Sequence, residues 1–291
     1  MLKKFFKKMP LVLAVCGLAI VLTGCGGTNN PTDTGPAWLS SAGLWREDTG
    51  QRVTAVAAND VGAAVEFVRE NPGTFTLAIG EDVPFAGTRA DIWRNVGNVD
   101  LTIVGLGGQR KIIFTDPDAL TTRLFEVGPD SSGDADIRIR LTLGNNITLV
   151  GRTYGEHEQT NHSTDLIRVR HGGHLIMKAG SRITAHTSTA ATNDANGAGA
   201  AVHISTNGTF TMYGGEIIGN RANNAAADIA GGVFVRTNTS ALYLKGEEAS
   251  ITGNFRGTDD TSADVVIHTA VPAELGNSLE ADGRIGAVVR R

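Results

Sequence analysis

Lysine, arginine, histidine and tyrosine side chains recur at matched outward positions of repeated short strands, and together they suit the binding of a glycan or an acidic polymer. The candidate binding residues are Arg168, Arg170, Lys178, His203, Tyr213, Arg236, Tyr243 and Lys245. Aromatic rings offer flat stacking surfaces, and cations make charge-assisted hydrogen bonds. The same residue types are also ordinary on any exposed strand face. The pattern predicts a recognition surface and names no ligand.

Two polar segments hold residue types that could bind a metal or act in catalysis. The longer one, residues 151–165, contains Glu156, His157, Glu158, His162 and Asp165. Imidazoles and carboxylates can bind Zn²⁺, but this spacing matches no closed zinc site. The second segment, Asp259-Asp260, lies in a polar return loop, where paired aspartates are typical of a turn. The sequence therefore predicts no metal, no cofactor and no catalytic residue.

The N-terminal segment is built like an export leader that ends at a cysteine. Four lysines within the first eight residues precede an uncharged apolar run over residues 11–22. This run is too short for a transmembrane helix, which needs about 20 apolar residues. Leu22-Thr23-Gly24-Cys25 follows, and it resembles the lipobox of bacterial lipoproteins. The resemblance implies cleavage before Cys25, acylation of Cys25, and a chain anchored by lipid in the bacterial cell envelope.

The residue after the predicted lipid anchor bears on which membrane holds it. Enteric bacteria retain lipoproteins in the inner membrane with an Asp at this position, whereas this chain has Gly26. The difference favours the outer membrane and leaves the side of that membrane open.

Composition limits both the fold and the class of partner. The chain has 26 Lys+Arg against 30 Asp+Glu, a net charge of −4, and the leader contains four of the cations. Nucleic-acid binders need clustered cations to neutralise phosphates, so nucleic acid is disfavoured as a partner. The 37 glycines and only 5% aromatic residues, with short Val, Ile and Leu runs, predict many short strands joined by turns. Cys16 lies in the leader, so the mature fold contains no disulfide.

Two elements precede the repeated strands. Residues 25–45 start with the lipidated cysteine and a turn-rich stretch, and are predicted to be a flexible tether. A helix is predicted over residues 61–70, capped by Asp60 and stopped by Asn71-Pro72-Gly73. Its apolar positions follow the helical period: Val61, Ala64, Val65 and Val68. We expect this helix to cap the N-terminal end of the strand array.

From about residue 124 the chain repeats a unit of three short strands. The opening strands contain Ile167, Val202, Val233 and Val265; the second strands contain Leu175, Phe210 and Leu242; the third strands start at Ile183, Ile217 and Ile251. Successive third strands are 34 residues apart. Because side chains alternate along a strand, the apolar members of each set are expected to stack in one core. We expect about seven or eight coils, stacked at about 4.8 Å each.

The segments 208–220 (GTFTMYGGEIIGN) and 230–235 (AGGVFV) resemble repeats of right-handed parallel β-helix proteins, both the pectate-lyase-like fold and the adhesin-like surface proteins of bacteria. The resemblance implies an all-β fold, a right-handed parallel β-helix with three strands per coil. Polygalacturonase-like members carry Gly-His-Gly and Arg-x-Lys, and this chain contains neither. Fold alone does not decide function, since this architecture supports lyases, hydrolases, adhesins and spacers.

The sequence therefore predicts a leader over 1–24, a lipidated cysteine and tether over 25–45, and a capped β-helix domain over 46–291. The predicted function is a non-enzymatic, adhesin-like or glycan-contacting module, with a polysaccharide or a host-matrix ligand as partner. A polysaccharide lyase or glycoside hydrolase and a purely structural envelope protein are the alternatives. The residues after 271 fit the repeat poorly and are left as a cap, a partial coil or a tail.

Overall fold

Short strands with alternating side chains make up most of the fold. The computed structural model describes residues 36–86, 97–115, 123–129, 137–152, 164–188, 201–223, 229–267, 279–281, 284–286 and 288–290. These residues form mostly β-structure with one helix. They belong to one compact unit of the chain.

The N-terminal part combines an antiparallel edge with the helix. Its elements are β1 (Gly43–Arg46), β2 (Gln51–Arg52), α1 (Val61–Glu70), β3 (Gly73–Ile79) and β4 (Val83–Phe85), followed by β5 (Val99–Gly105) and β6 (Arg110–Phe114). Strand β1 pairs antiparallel with both β2 and β3. The predicted helix is confirmed, because Asp60 accepts a hydrogen bond from the Ala63 N–H at 2.9 Å and the predicted apolar face is buried.

The repeated part begins at residue 125. Its strands are β7 (Phe125–Val127), β8 (Ile139–Leu143), β9 (Ile147–Val150), β10 (Ile167–Val169), β11 (His174–Met177), β12 (Arg182–Thr184), β13 (Thr187–Ser188), β14 (Val202–Ile204), β15 (Thr209–Met212), β16 (Gly215–Ile218), β17 (Arg221–Ala222), β18 (Val233–Val235), β19 (Ala241–Leu244), β20 (Ala249–Ile251), β21 (Phe255–Arg256), β22 (Thr261–Ser262), β23 (Val265–Ile267), β24 (Leu279–Ala281), β25 (Arg284–Ile285) and β26 (Val288–Arg290).

The strands pair into four sheets. Sheet I has the order β7-β10-β14-β18-β23-β26, sheet II β2-β1-β3-β5-β8-β11-β15-β19-β24, sheet III β4-β6-β9-β12-β16-β20-β25, and sheet IV β13-β17-β21-β22. Apart from the pairs β1–β2, β1–β3 and β21–β22, every described pairing is parallel. From β7 onward the chain visits sheets I, II and III in turn, and each strand pairs with its counterpart in the previous passage. This order is compatible with a solenoid-like body.

The core consists of the inward columns of the three larger sheets. Ile167, Val202, Val233 and Val265 share one register of sheet I, and all four are fully buried. Leu175, Phe210 and Leu242 do the same in sheet II, and Ile183, Ile217 and Ile251 in sheet III. Burying one such side chain contributes roughly 1.5–3 kcal/mol. The stacked apolar columns predicted from the sequence are confirmed.

Asparagines line the corner between sheets III and IV. The Asn220 side-chain amide donates to Asn254 Oδ1 at 2.9 Å, and the Asn254 amide donates to Asp264 Oδ1 at 3.0 Å. Asn254 also donates to the Ile217 carbonyl at 2.9 Å. All three side chains are buried, so the ladder satisfies backbone groups that the corner would leave without partners.

Both ends of the chain's folded part extend the sheets. Strand β1 lies partly within the 25–45 range assigned to the tether, and its Leu44 is fully buried in the core. At the other end β24, β25 and β26 add one parallel strand each to sheets II, III and I. The described residues after 271 therefore continue the coil pattern.

Candidate functional site

Three of the predicted binding residues form one exposed column across the C-terminal ends of neighbouring strands of sheet II. Lys178, Tyr213 and Lys245 directly follow β11, β15 and β19, and their backbone N–H groups donate to the carbonyls of Leu143, Met177 and Met212 at 3.0, 2.8 and 2.8 Å. They therefore occupy equal positions on neighbouring strands, about 4.8 Å apart. The Tyr213 side chain is 51% exposed. We call Lys178, Tyr213 and Lys245 the lysine–tyrosine column.

Tyr243 lies beside this column, and the Lys245 side chain contacts its ring. Tyr243 pairs with Thr211 in the register of β15 and β19 and is half-buried. The Lys245 Nζ atom is 4.9 Å from the centre of the Tyr243 ring, which is the geometry of a cation–π contact. The structure thus brings four of the eight predicted binding residues together on the outer face of sheet II, near the C-terminal ends of its strands.

The predicted residues on sheet I have a different environment. Arg168 and His203 are register partners in β10 and β14, and Phe234 continues the same outward column in β18. Arg168 is only 7% exposed, His203 is fully buried, and their neighbours Glu126 and Phe234 are also buried. This outward column is therefore covered, and Arg168 and His203 do not reach the surface that the sequence analysis assigned to them.

Asp165 is the carboxylate that contacts these buried side chains. Its carboxylate accepts from Arg168 Nη2 at 3.1 Å and from Arg123 Nε at 2.8 Å, and His203 Nδ1 lies 3.6 Å away. Burial by itself raises the pKa of Asp165, but the two guanidiniums hold that pKa well below its usual range. Burial lowers the pKa of His203 despite Asp165, so the ring stays neutral beside Arg168. Asp165 is thus an ion-pair partner here.

Arg170 and Arg236 complete the predicted set on the next row of sheet I. Arg170 follows β10 and pairs with the buried carboxylate of Glu126. Burial raises the pKa of Glu126, in opposition to Arg123, Arg170 and Arg168. Arg236 follows β18, is half-buried, and its backbone N–H donates to the Ile204 carbonyl at 2.9 Å. These two residues lie on a different sheet from the lysine–tyrosine column.

A polar groove that the sequence analysis did not identify lies on sheet III. Its volume is about 450 Å³. The side chains that line it are Gln109, Thr148, Ser181, Arg182, Glu216 and Glu248. Thr148, Arg182 and Glu216 are register partners in β9, β12 and β16. The sequence did contain a signal for this groove: Thr148, Arg182 and Glu216 are spaced 34 residues apart, which places a polar residue at the same outward position of each third strand.

Comparisons with family models, with curated proteins and with solved structures find no match to this chain. Within the described ranges, no helix combines the length and apolar character needed to cross a bilayer. The same ranges contain no group of three or more His, Cys, Asp or Glu side chains placed to hold a metal ion. The leader, Cys25 and the 156–162 part of the candidate metal loop lie outside the described residues.

Proposed function

We propose that this chain is a membrane-anchored cell-envelope lipoprotein whose body is a right-handed parallel β-helix that contacts glycans without catalysing a reaction. The observation that carries the proposal is the exposed lysine–tyrosine column with Tyr243 beside it. An exposed aromatic ring flanked by two cations on a rigid parallel ladder offers stacking and charge-assisted hydrogen bonds together. Rigid elements also position such groups without an ordering cost on binding.

The architecture supports the β-helix part of the proposal. One passage through the other sheets connects each strand of sheet I to its parallel neighbour in the same sheet, as from β10 to β14 and from β14 to β18. Crossovers between parallel strands of one sheet are right-handed in the great majority of proteins, because a right-twisted strand packs back onto its sheet only that way. The repeat resemblance to pectate-lyase-like and adhesin-like proteins supports the same hand.

The anchor part of the proposal depends on Cys25. Its test is detergent phase partitioning of the full-length protein expressed in a bacterium, compared with Cys25→Ser. We expect the wild type in the detergent phase and the variant in the aqueous phase, because acyl chains contribute about 0.8 kcal/mol per buried methylene. Equal partitioning of the two proteins would contradict lipidation at Cys25.

The glycan part is tested by array binding of the mature protein, with Tyr213→Ala as the diagnostic variant. Ile218→Ala is the matched control, because Ile218 is the other exposed large apolar side chain among the described residues and lies on sheet III. We expect Tyr213→Ala to lose binding and Ile218→Ala to retain it. Equal binding by both variants would exclude the column as the recognition site. Release of new sugar ends from bound glycans would instead identify a lyase or hydrolase.

A further inference from the structure

The polar groove on sheet III lies directly around a chain turn from the lysine–tyrosine column. Tyr213 is two residues before Gly215, Lys178 is three before Ser181, and Lys245 is three before Glu248, and the later residue of each pair lines the groove. Two or three residues span at most about 11 Å even when fully extended. A ligand a few sugar rings long that stacks on Tyr213 therefore reaches the groove.

Some of the donors in the groove are engaged within the protein. Arg182 donates through Nε to Glu216 Oε2 at 2.9 Å, and its Nη2 also bonds to that oxygen. Gln109 Nε2 donates to Thr148 Oγ1 at 2.6 Å. Ser181 Oγ donates to the Lys178 carbonyl at 2.6 Å. Each of these bonds uses a hydrogen that a ligand acceptor would otherwise receive.

The acceptors in the groove remain open. Glu248 is exposed and makes no hydrogen bond or ion pair in the described part of the chain, and Glu216 bonds through one carboxylate oxygen only. The groove therefore presents open carboxylate oxygens beside N–H groups of Arg182 and Gln109 that these bonds leave unused, and sugar hydroxyls can both donate and accept. Hydrogen bonds from hydroxyls to carboxylates are charge-assisted and stronger than neutral ones.

The charge balance of the groove separates neutral sugars from acidic ones. Two carboxylates, Glu216 and Glu248, stand against one guanidinium, Arg182. A uronic acid carboxylate placed there meets a like charge without compensation, whereas a neutral ring does not. The two lysines of the column lie on the other side of the turn, and their attraction for an acidic ligand is weakened by added salt.

From these contacts we infer that the groove is a specificity site that selects a neutral, hydroxyl-rich glycan over an acidic one. The inference rests on the proposed glycan binding, and extends it from a stacking platform to a two-part site. Tyr213 supplies contact area to any sugar, and Glu248 with Glu216 decides which sugars are accepted.

The test compares two probes by calorimetric titration of the full-length protein purified in detergent at about 0.15 M salt, which screens the lysines of the column. The probes are a hexamer of neutral β-linked glucose and a hexamer of galacturonate. We expect the neutral hexamer to bind at least about fivefold tighter, since one uncompensated charge at about 4 Å contributes roughly that factor in water. Tighter binding of the galacturonate hexamer would overturn the inference.

Glu248→Gln is the diagnostic variant and Glu247→Gln is its matched control. Both residues are exposed carboxylates on one turn, but only Glu248 lines the groove. We expect Glu248→Gln to weaken the neutral hexamer and strengthen the galacturonate hexamer, so that their affinity ratio falls about fivefold or more. Glu247→Gln should keep the wild-type ratio.

The outcomes separate this inference from the proposed function. Unchanged affinity ratios in both glutamine variants, with binding still lost in Tyr213→Ala, would overturn the specificity role of the groove. The proposed binding at the lysine–tyrosine column would then be retained. Equal changes in Glu248→Gln and Glu247→Gln would show general surface charge rather than a groove contact, and would also overturn it. Binding of neither hexamer would overturn the inference, while array binding with the Tyr213→Ala variant would still decide the proposed function separately.

Discussion

His186 is a buried titratable group whose protonation state should control stability in mild acid. The residue lies between β12 and β13, is fully buried, and its Nε2 is 2.9 Å from the Thr164 carbonyl oxygen. A carbonyl can only accept, so the neutral ring carries its proton on Nε2. Burial lowers the pKa of His186 to about 4, against the opposing effects of the Thr164 hydrogen bond and Asp165, while Arg152 lowers it further.

The sign and size of the effect follow from proton linkage. The unfolded chain has a histidine pKa of about 6.5, so between that pH and about 4 the unfolded state binds a proton that the folded state does not. His186 therefore leaves stability intact above about pH 6.5, reduces it as the pH falls toward 4, and has no further effect below. A shift from 6.5 to about 4 corresponds to about 3 kcal/mol.

The perturbation that isolates this effect is His186→Gln. The glutamine amide can still donate toward the Thr164 carbonyl, but it does not titrate. The free energy of unfolding is measured by urea denaturation at about pH 7 and about pH 4 for both proteins. Carboxylates titrate in both and cancel in the comparison. We expect the wild type to lose about 3 kcal/mol more than the variant over this range.

A second measurement reports the protonation of the His186 ring directly. Imidazole chemical shifts of the folded protein should show His186 titrating with a midpoint near 4. Equal losses of unfolding free energy in wild type and His186→Gln, or a folded-state midpoint near 6.5, would refute the reasoning that burial keeps this ring neutral.

Three further substitutions test other contacts. Asp165→Asn should cost about 3–5 kcal/mol in urea unfolding, because it removes the buried anion that pairs with buried Arg168 and half-buried Arg123. Asn254→Ala should cost about 2–4 kcal/mol by the same assay, since it removes buried hydrogen bonds to Ile217 and Asp264; no change would contradict a structural ladder. Gly246→Ala should lower the melting temperature measured by calorimetry by the equivalent of about 1–3 kcal/mol, because its Cβ would lie 2.0 Å from a backbone oxygen.

The features that could be predicted from the sequence are those set by local chemistry and spacing. Asp60 and the apolar face of α1 define a helix within ten residues, and the structure has that helix at the predicted bounds. Ile183, Ile217 and Ile251 recur every 34 residues, and in-register parallel pairing makes them neighbours in the core. A period of two along a strand is enough to assign such residues to the inner face.

The features that could not be predicted depend on whether a sheet face is covered and on which residues of successive coils are in contact. Alternation places Arg168 and His203 on the outer face of sheet I, but it does not state that this face is covered. In the sequence Asp165 belongs to a polar loop segment, and only the fold brings it into contact with Arg123, which lies 42 residues earlier. The groove likewise joins Gln109 to Thr148 across 39 residues, a contact that requires the register of two successive coils.

Parallel register explains why charge is arranged differently on the two outer faces. Neighbours in a column are about 4.8 Å apart, so adjacent like charges repel strongly. On the covered face of sheet I, Arg168 has Glu126 as one register partner and His203 as the other, and the lowered pKa of His203 disfavours a second positive charge beside Arg168. On sheet II, Tyr213 separates Lys178 from Lys245 by two steps, about 9–10 Å, which is close to the screening length in physiological salt. The tyrosine therefore limits repulsion between the lysines while its own ring stays exposed, which is the arrangement that the proposed stacking on a sugar requires.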